Sequence, residues 1–286
     1  MFVPRKILET KLLQLLAEDV GQGDVTAAAV VSPNVNAEAN VVAKENGVVA
    51  GIEEAIILTE SLGLKAKANV ADGNVVKKGR LLIQVSGNAQ TILSAERTML
   101  NLLSRMSGIA TTTRRLSEKL RKAGSKTRIA ATRKTALGLN IFDKKAVFLG
   151  GGDPHRLHLD DMILIKDNHL AIVGSVESAL QKAKETASLS KKIEVEVTRG
   201  KDAVVAAEAG ADVVMLDNFS PKQVKETVKF LEKAGLREKV LLEASGGITE
   251  ENLLAYASTG VDVLSMGALT HSVKAFDVSL EITKAA

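Results

Sequence analysis

The chain has 286 residues, a formal net charge of +4 and no cysteine. Without cysteine it has neither a disulfide framework nor a thiolate metal site, and so mild a charge suits a cationic pocket better than a DNA-binding face. Aromatic residues make up 2% of the chain, so stacking surfaces for bases are scarce and we expect no nucleic-acid partner. The sequence has no apolar run of membrane-spanning length and no signal-peptide pattern at its start. We therefore expect a cytoplasmic protein with no membrane partner.

Residues 1–110 predict a small α+β domain. A helical pattern over residues 1–24 ends at a glycine-containing break, and a second helix is predicted over Gly51–Leu62. Short β-like runs with Asn, Asp and Gly turn signals between them surround this second helix. These runs are Ala37–Ala43, Gly47–Ala50, Lys65–Val70 and Arg80–Val85.

The longest helical pattern covers residues 88–122, with a predicted break near Ser107 and Gly108. Apolar residues recur along it at helical spacing and give it one buried face. Arg97 lies on the opposite face, where a charged side chain alone is typical of a solvated helix surface.

Strand and helix patterns alternate regularly over residues 111–270. This alternation indicates βαβ units and a parallel sheet, and a run of six strands favours a barrel over an open sheet. Functional residues of such barrels lie at the carboxyl ends of the strands. The predicted strands are Thr127–Ala131, Met162–Lys166, Ile193–Val197, Val213–Leu216, Val240–Ala244 and Val263–Met266.

Polar residues follow or end the predicted strands. Glu194 and Glu196 lie two residues apart in one strand, so both are expected to face the lumen, and Glu196 is nearer the carboxyl end. We therefore assign the functional role to Glu196. The last two strands end in glycine turns of the kind that bind phosphate through backbone N–H groups. The other strand-end residues are Thr132, Arg133, Lys134, Lys166, Asp217, Ser245, Gly246, Gly247, Met266, Gly267 and Ala268.

The segment from Thr132 to His169 concentrates cationic residues, three glycines in a row and three of the four histidines. Such a cluster indicates a pocket for a small polyanion. Each feature alone also has a simpler structural interpretation, because a histidine is more often hydrogen-bonded in a structural role and a strand-end polar residue often caps a helix. The coincidence of polar residues at six successive strand ends favours one functional site.

Nine segments in this order resemble the quinolinate phosphoribosyltransferase family. The resemblance implies a small N-terminal α/β sandwich domain over residues 1–110 and an incomplete, roughly seven-stranded TIM-like α/β barrel over residues 111–270. We expect a C-terminal helix over residues 271–286 that packs back on the N-terminal domain. The matching segments are Gly23–Thr26, Ala95–Thr111, Thr132–Thr135, Gly150–Asp161, Leu164–His169, Glu194–Val197, Met215–Pro221, Glu243–Ile248 and Met266–Ser272.

The resemblance also implies a reaction, in which quinolinate and 5-phosphoribosyl 1-diphosphate give nicotinate mononucleotide, CO₂ and diphosphate with Mg²⁺ present. It implies a homodimer with shared active sites, in which Arg97 reaches into the partner subunit's site. A dicarboxylate such as quinolinate suits a clamp of cations. The implied quinolinate clamp is Arg133, His155, Arg156 and Lys166, with Thr132 beside it.

The ribosyl half of the substrate is assigned to residues of the later strands. Glu196 and Asp217 are expected to stabilise positive charge on the ribose ring and to hold Mg²⁺. Lys134 is expected to meet the sugar phosphate or the diphosphate. The 5-phosphate is expected at Ser245, Gly246, Gly247, Met266, Gly267 and Ala268.

Departures from the family pattern fall in and after the first predicted barrel strand, at Ala131, Ala136 and Asn140, and the segment Phe142–Phe148 lacks the tyrosine common in the family. Three alternative functions stay open. The first is a paralogue of the same fold with another substrate, such as the molybdenum-transport-associated relatives, and retention of Arg133, Arg156 and Lys166 counts against it. The second is a barrel lyase or isomerase acting on a sugar phosphate, which would leave the dicarboxylate clamp without a purpose. The third, a non-catalytic anion-binding protein, does not explain the acidic residues of the site.

Overall fold

The computed structural model describes residues 3–286, which form two compact units. The first unit contains the chain up to Arg114 together with Lys145–Gly151 and Val273–Ala286. The second contains Arg115–Lys144 and Gly152–Ser272. Met1 and Phe2, which the predicted first helix and first domain included, lie outside the described residues.

The helices of the described chain run between and beside the strands. Two of them begin after a serine cap, because Ser175 and Ser220 each accept a hydrogen bond from the first turn of the helix that follows. In chain order the α-helices are α1 (Arg5–Val20), α2 (Val25–Val30), α3 (Ile52–Ser61), α4 (Ala89–Lys122), α5 (Asn140–Leu149), α6 (Asp167–Val173), α7 (Val176–Thr186), α8 (Gly200–Glu208), α9 (Pro221–Lys233), α10 (Leu253–Ala257) and α11 (Ala268–His271), and a 3₁₀ turn covers Arg237–Lys239.

In chain order the strands are β1 (Asn36–Ala43), β2 (Gly47–Val48), β3 (Lys65–Ala68), β4 (Val75–Val76), β5 (Leu81–Asn88), β6 (Arg128–Ala130), β7 (Ile163–Ile165), β8 (Ile193–Val197), β9 (Val213–Asp217), β10 (Leu241–Ser245), β11 (Val263–Ser265) and β12 (Val278–Ala285). In the described chain, the five strands before α4 and the last strand, β12, belong to the first unit, and the six strands between them belong to the second.

The first unit is built on an antiparallel sheet of order β12-β1-β5-β3, with β2 and β4 forming a separate pair. Strand β1 alternates between exposed and buried residues, and Ala39, Val41 and Ala43 are fully buried in the core. The fully buried Glu54 of α3 is held by an ion pair with Lys145 at 2.8 Å.

The prediction for the C-terminal segment was wrong in its secondary structure, although the segment does belong to the first unit as expected. We expected a helix over residues 271–286, but Val278–Ala285 form strand β12, which pairs antiparallel with β1. Val278, Leu280 and Ile282 alternate with Ser279 and Glu281, which is the period of a strand rather than a helix. The short segment Ala268–His271 is helical, as α11.

The predicted break near Ser107 and Gly108 is absent, and α4 is continuous from Ala89 to Lys122. Gly108 has a packing role instead. A Cβ atom built on it would lie 2.1 Å from the carbonyl oxygen of Lys274, so only glycine lets that backbone approach the helix.

The second unit is a six-stranded parallel sheet of order β6-β11-β10-β9-β8-β7, as the βαβ alternation predicted. An isolated parallel bridge between Ala130 and Asp153 continues the pairing beyond β6. Among residues 3–286, no backbone hydrogen bond joins the edge strands β6 and β7. The parallel sheet and the small antiparallel domain confirm the predicted fold class, although closure of the barrel by strand pairing is not seen.

Within the described part of the chain, no helix has the length and apolar character needed to cross a membrane.

Candidate active site

A cavity of about 530 Å³ opens at the carboxyl ends of the parallel strands in the second unit. Strand residues alternate between two faces, and the strand residues that line the cavity all come from the inward positions. The lining residues are Ala131, Thr132, Arg133, Lys134, His155, Arg156, Leu164, Lys166, Asp167, Glu196, Met215, Asp217, Asn218, Glu243, Ser245 and Ser265.

The sheet register explains how the carboxylates come together. Glu196 of β8 pairs with Met215 of β9, so Asp217 lies one inward position further along the neighbouring strand. Ser245 of β10 pairs in turn with Asp217. Glu196 is 9% exposed, and Asp217 is half-buried. The spacing of two residues in β8 therefore predicted the inward face correctly.

His155 contacts two buried carboxylates that the sequence analysis left without a role. Its Nε2 lies 3.3 Å from Glu194 Oε2 and 3.4 Å from Glu243 Oε2. Although burial opposes the charged imidazole, the close contacts with these two carboxylates raise the pKa of His155 to about 10. His155 therefore carries a positive charge at neutral pH. Its backbone has a φ of 55°, and its N–H donates to Asp153 Oδ1 at 2.8 Å.

Glu194 and Glu243 carried a signal that could have identified them. Glu243 precedes Ser245 by two residues, just as Glu194 precedes Glu196, so each is the next inward position of its strand. Both side chains are buried, and the Ser265 hydroxyl donates a short hydrogen bond to Glu243 Oε1. What the sequence does not give is the approach of His155, which comes from a loop far from either strand.

Arg156 and Arg133 add two further cations to the cavity. Arg156 is buried, and its burial, followed by repulsion from Arg133, lowers the pKa of its guanidinium. Because an arginine remains protonated at any physiological pH, the pair still presents two positive charges. Arg133 is exposed at the cavity, and Thr132 Oγ1 accepts a hydrogen bond from the Lys134 N–H.

Lys166 reaches across to the acidic side of the site. Its Nζ lies 2.7 Å from Glu196 Oε2, and its side chain is 45% exposed. The backbone N–H of Lys166 donates to His169 Nδ1, so His169 caps helix α6 and does not line the cavity. His158 bonds to Asn140, also outside the cavity. Two of the three histidines singled out in the sequence thus have local structural roles.

The predicted phosphate turns lie beside the cavity rather than among its lining residues. Gly246 and Gly247 have φ values of 93° and 61°, and a Cβ on Gly246 would meet Asn218 Oδ1 at 2.2 Å. A Cβ on Gly267 would lie 3.2 Å from the Lys134 side chain and 3.0 Å from that of His271, a residue to which the sequence analysis gave no role. Met266 is buried and Ala268 exposed.

Arg97 is the one predicted site residue of the first unit, where its side chain is exposed on α4. The lining residues of the cavity all belong to the second unit. The geometry therefore brings together a cationic side, formed by Arg133, His155 and Arg156, and an acidic side, formed by Glu196 and Asp217. Lys166 connects the two sides. Such an arrangement suits an anionic substrate that develops positive charge during its reaction.

Two family models match the chain. The model described as quinolinate phosphoribosyl transferase, N-terminal domain, matches residues 24–107, and the one described as the C-terminal domain of the same enzyme matches residues 109–281.

Individual proteins are similar over nearly the whole chain. A probable nicotinate-nucleotide pyrophosphorylase [carboxylating] of Methanothermobacter thermautotrophicus is 47% identical over 94% of this chain and 96% of its own. The nicotinate-nucleotide pyrophosphorylase [carboxylating] of Mycobacterium leprae is 41% identical over 93% of this chain and 94% of its own. The solved structure of the nicotinate-nucleotide pyrophosphorylase from Francisella tularensis superimposes with a TM-score of 0.89 at 36% identity, covering 99% of this chain and 98% of that one.

Proposed function

This chain belongs to the quinolinate phosphoribosyl transferase family, and from that premise we propose that it is a nicotinate-nucleotide pyrophosphorylase (carboxylating). It transfers the phosphoribosyl group of 5-phosphoribosyl 1-diphosphate to quinolinate, giving nicotinate mononucleotide, CO₂ and diphosphate for NAD biosynthesis. The observation that carries the proposal is the cavity itself, in which three cations face two carboxylates. The relatives named above carry the same activity in their names.

The cationic side suits quinolinate, a planar dicarboxylate. Arg133 and Arg156 provide guanidinium donors that bind carboxylates in two-point fashion, and charge-assisted bonds of this kind are the strong ones. His155, held in its charged form by Glu194 and Glu243, adds a third cation. Thr132 lines the same cavity. The three cations of this half of the site are therefore electrostatically complementary to the two carboxylates of quinolinate.

The acidic side suits the ribosyl group. When the ring nitrogen of quinolinate bonds to the ribose C1 atom, the bond to diphosphate breaks and its electrons leave with the diphosphate. Positive charge develops on the ribose ring, and Glu196 and Asp217 stabilise it. Lys134, whose side chain lies close to Gly267, neutralises phosphate charge in this proposal. Ser245 and the turns at Gly246 and Gly267 cradle the 5-phosphate through their backbone N–H groups.

Decarboxylation follows from the substrate's own chemistry. Once alkylated, the ring nitrogen carries a positive charge, so the bond from ring carbon C2 to its carboxylate breaks with its electrons accepted by the ring. CO₂ leaves and a proton takes its place. The protein therefore needs only to orient the carboxylate, which is the work of the cationic side.

Magnesium fits the residues of the acidic side. Glu196 and Asp217 offer hard carboxylate oxygens on neighbouring strands, the ligand type that Mg²⁺ prefers. Lys166 contacts Glu196 through Oε2, and Asn218 donates to Asp217 Oδ2 at 2.6 Å. Among residues 3–286, the second oxygen of each carboxylate is therefore left for a metal ion or a ribose hydroxyl. When bound, Mg²⁺ would neutralise charge on the leaving diphosphate.

The assembly and location are part of the same proposal. The protein works in the cytoplasm as a homodimer, and Arg97 of each subunit enters the site of its partner. An exposed arginine on α4 is consistent with this role because a solvated guanidinium is free to bind a second chain. Mixed sites of this kind follow from a two-fold interface, which presents the same residues twice.

Diphosphate release with quinolinate, 5-phosphoribosyl 1-diphosphate and Mg²⁺ tests the proposed function. Substitutions Arg133→Ala and Lys166→Ala should each lower the release at least about 100-fold, because each removes charge-assisted bonds to substrate. EDTA should stop the wild-type reaction and added Mg²⁺ should restore it. Lys201→Ala, an exposed change on α8, serves as the control and should have no effect.

Nicotinate in place of quinolinate is the decisive comparison. The proposed function requires consumption of quinolinate with release of CO₂. Full activity in Arg133→Ala or Lys166→Ala, or turnover of nicotinate alone, would contradict it.

A further inference from the structure

Glu194 is a buried carboxylate with few polar neighbours. It is 0% exposed, and its one ion-pair contact among residues 3–286 is with His155 Nε2 at 3.3 Å. Neither of its oxygens accepts a well-aligned hydrogen bond in the described part of the chain. A carboxylate in such a place is costly unless a nearby cation compensates it.

Glu194 and Glu196 serve different cations although they share one face of β8. Glu196 is paired with Lys166 at 2.7 Å, toward the cavity mouth. Glu194 lies one inward position deeper and meets the imidazole. Glu196 therefore belongs to the ribosyl side of the site, whereas Glu194 lies behind the cations that are proposed to bind the dicarboxylate.

Glu243 also meets the His155 ring, but it has another partner. Its Oε1 accepts the Ser265 hydroxyl, whereas its Oε2 lies 3.4 Å from the imidazole. Of the two carboxylates that contact His155, Glu194 is thus the one without a further hydrogen-bond donor or cation in contact among the described residues. The Arg156 guanidinium is the next cation to act on it.

The backbone of His155 is fixed from the opposite side. Its N–H donates to Asp153 Oδ1 at 2.8 Å, and its φ of 55° lies in the left-handed region that non-glycine residues adopt at a cost. The carbonyl of Pro154, the preceding residue, accepts a short bond from the fully buried Lys144 Nζ. With its backbone held by these bonds and its ring by Glu194, the imidazole has little freedom to turn.

We propose that Glu194 is a positioning residue for the reaction: it binds Nε2 of His155 and so leaves Nδ1 as the nitrogen that donates to a carboxylate of quinolinate. This proposal rests on the proposed function. Both carboxylates contact Nε2, and among the described residues no hydrogen bond to Nδ1 is found. A charged imidazole donates from both nitrogens, whereas a neutral one with its proton on Nε2 would turn a lone pair toward the substrate.

The free protein tests the contact without substrate. With ¹³C- or ¹⁵N-labelled histidine, NMR follows the titration of four imidazoles, and His155→Gln identifies the relevant one. In Glu194→Gln, which keeps the shape and removes the charge, we expect the pKa of His155 to fall by at least about one unit. An unchanged titration would overturn the proposal.

Kinetics test the consequence for the substrate. In Glu194→Gln we expect KM for quinolinate to rise about tenfold, the worth of one charge-assisted bond, with KM for 5-phosphoribosyl 1-diphosphate nearly unchanged. In a His155→Gln background the same change should have little further effect, because Glu194 acts through the ring. Equal effects on the two KM values, or full additivity, would overturn the proposal.

A matched control separates positioning from stability. Glu54→Gln removes another fully buried, cation-paired carboxylate, in the first unit. It should lower the melting temperature without changing KM for quinolinate selectively.

A second variant, Glu194→Asp, serves if Glu194→Gln does not fold. It keeps the negative charge but shortens the side chain, so KM for quinolinate should rise while His155 stays protonated. An unchanged KM for quinolinate would count against positioning. Failure of the wild-type protein to use quinolinate would refute the proposed function. The NMR titration would still test the Glu194–His155 contact, because it is measured without substrate.

Discussion

The choice between Glu194 and Glu196 shows how far single residues can be assigned from a sequence. Their spacing places both on the inner face of β8, and the structure bears this out. Their difference in environment depends on residues that the spacing does not reveal. Lys166 comes from the neighbouring strand end, and His155 comes from a loop that follows β6 and α5. Which cation meets which carboxylate is decided by tertiary packing.

Lys144 is a further residue whose environment the sequence hides, because in the sequence it is one of two adjacent lysines in a charged helix. Its side chain is 0% exposed, and burial, opposed chiefly by Asp153, lowers its pKa to about 8. Lys145, the next residue, instead pairs with Glu53 and Glu54. Two adjacent positions of one helix thus face different surroundings, as a turn of 100° per residue requires.

The lowered pKa of Lys144 predicts a pH dependence of stability. An unfolded lysine keeps its proton up to pH 10.5, whereas the folded one loses it near pH 8, so the unfolded state binds more protons between these values. The contribution of Lys144 to the free energy of unfolding should therefore rise between pH 8 and pH 10.5, by about 1 kcal/mol per pH unit. Below pH 8 this contribution should be constant. Urea unfolding of wild type and Lys144→Met at several pH values measures the difference. A difference that stays flat or falls above pH 8 would contradict the assignment.

Helix α4 shows where local signals mislead at the scale of an element. Serine followed by glycine commonly interrupts a helix, and the sequence predicts a break at Ser107 and Gly108. The helix continues because both residues are used in packing. The Ser107 hydroxyl exchanges hydrogen bonds with the backbone of Ala50, and Gly108 lets the Lys274 carbonyl approach. The sequence predicts the element and its buried face, but not the distant segment that explains its glycine.

Gly108→Ala tests this interpretation of α4. In an open helix the change should stabilise by about 1 kcal/mol, since alanine has the higher helix propensity. Here the added Cβ would lie 2.1 Å from a backbone oxygen that no rotamer change can move. We therefore expect a loss of about 1–3 kcal/mol in the free energy of unfolding. Thr112→Ala, at a half-buried position of the same helix, is the control and should change stability little. A stabilised Gly108→Ala would show that the Lys274 contact is not tight.

The whole molecule combines segments that the chain order separates. The sequence predicts a parallel α/β unit and an earlier antiparallel domain, because these depend on periodicity and on connections of ordinary length. It predicts that the C-terminal segment packs on the first domain, but not that Lys145–Gly151 belong to the first unit. Strand β12 joins the sheet of β1 across almost the whole sequence, and no local pattern specifies such a pairing. For the same reason the site's own strands are predictable one by one, while its loop residues are not.

Arg97 carries the last prediction, which concerns the proposed dimer. Arg97 and Arg133 belong to different units, and the proposal places Arg97 in the site of the partner subunit. Arg97→Ala and Arg133→Ala should each be nearly inactive alone. In a mixed dimer one site carries both substitutions and the other carries neither, because a two-fold interface pairs each site with one residue from each chain.

Co-expression of the two variants with different affinity tags, or refolding of an equal mixture, should therefore restore about a quarter of the wild-type activity, the share of sites that are intact after random pairing into two-fold dimers. Purification through both tags in turn should raise the recovered share to about half, because only mixed dimers carry both. Mixing Arg133→Ala with Lys166→Ala is the matched control. These residues line the same cavity of one chain, so every site keeps one substitution and no activity should return. Recovery in this control, or none in the Arg97 mixture, would mean that Arg97 does not act across the dimer.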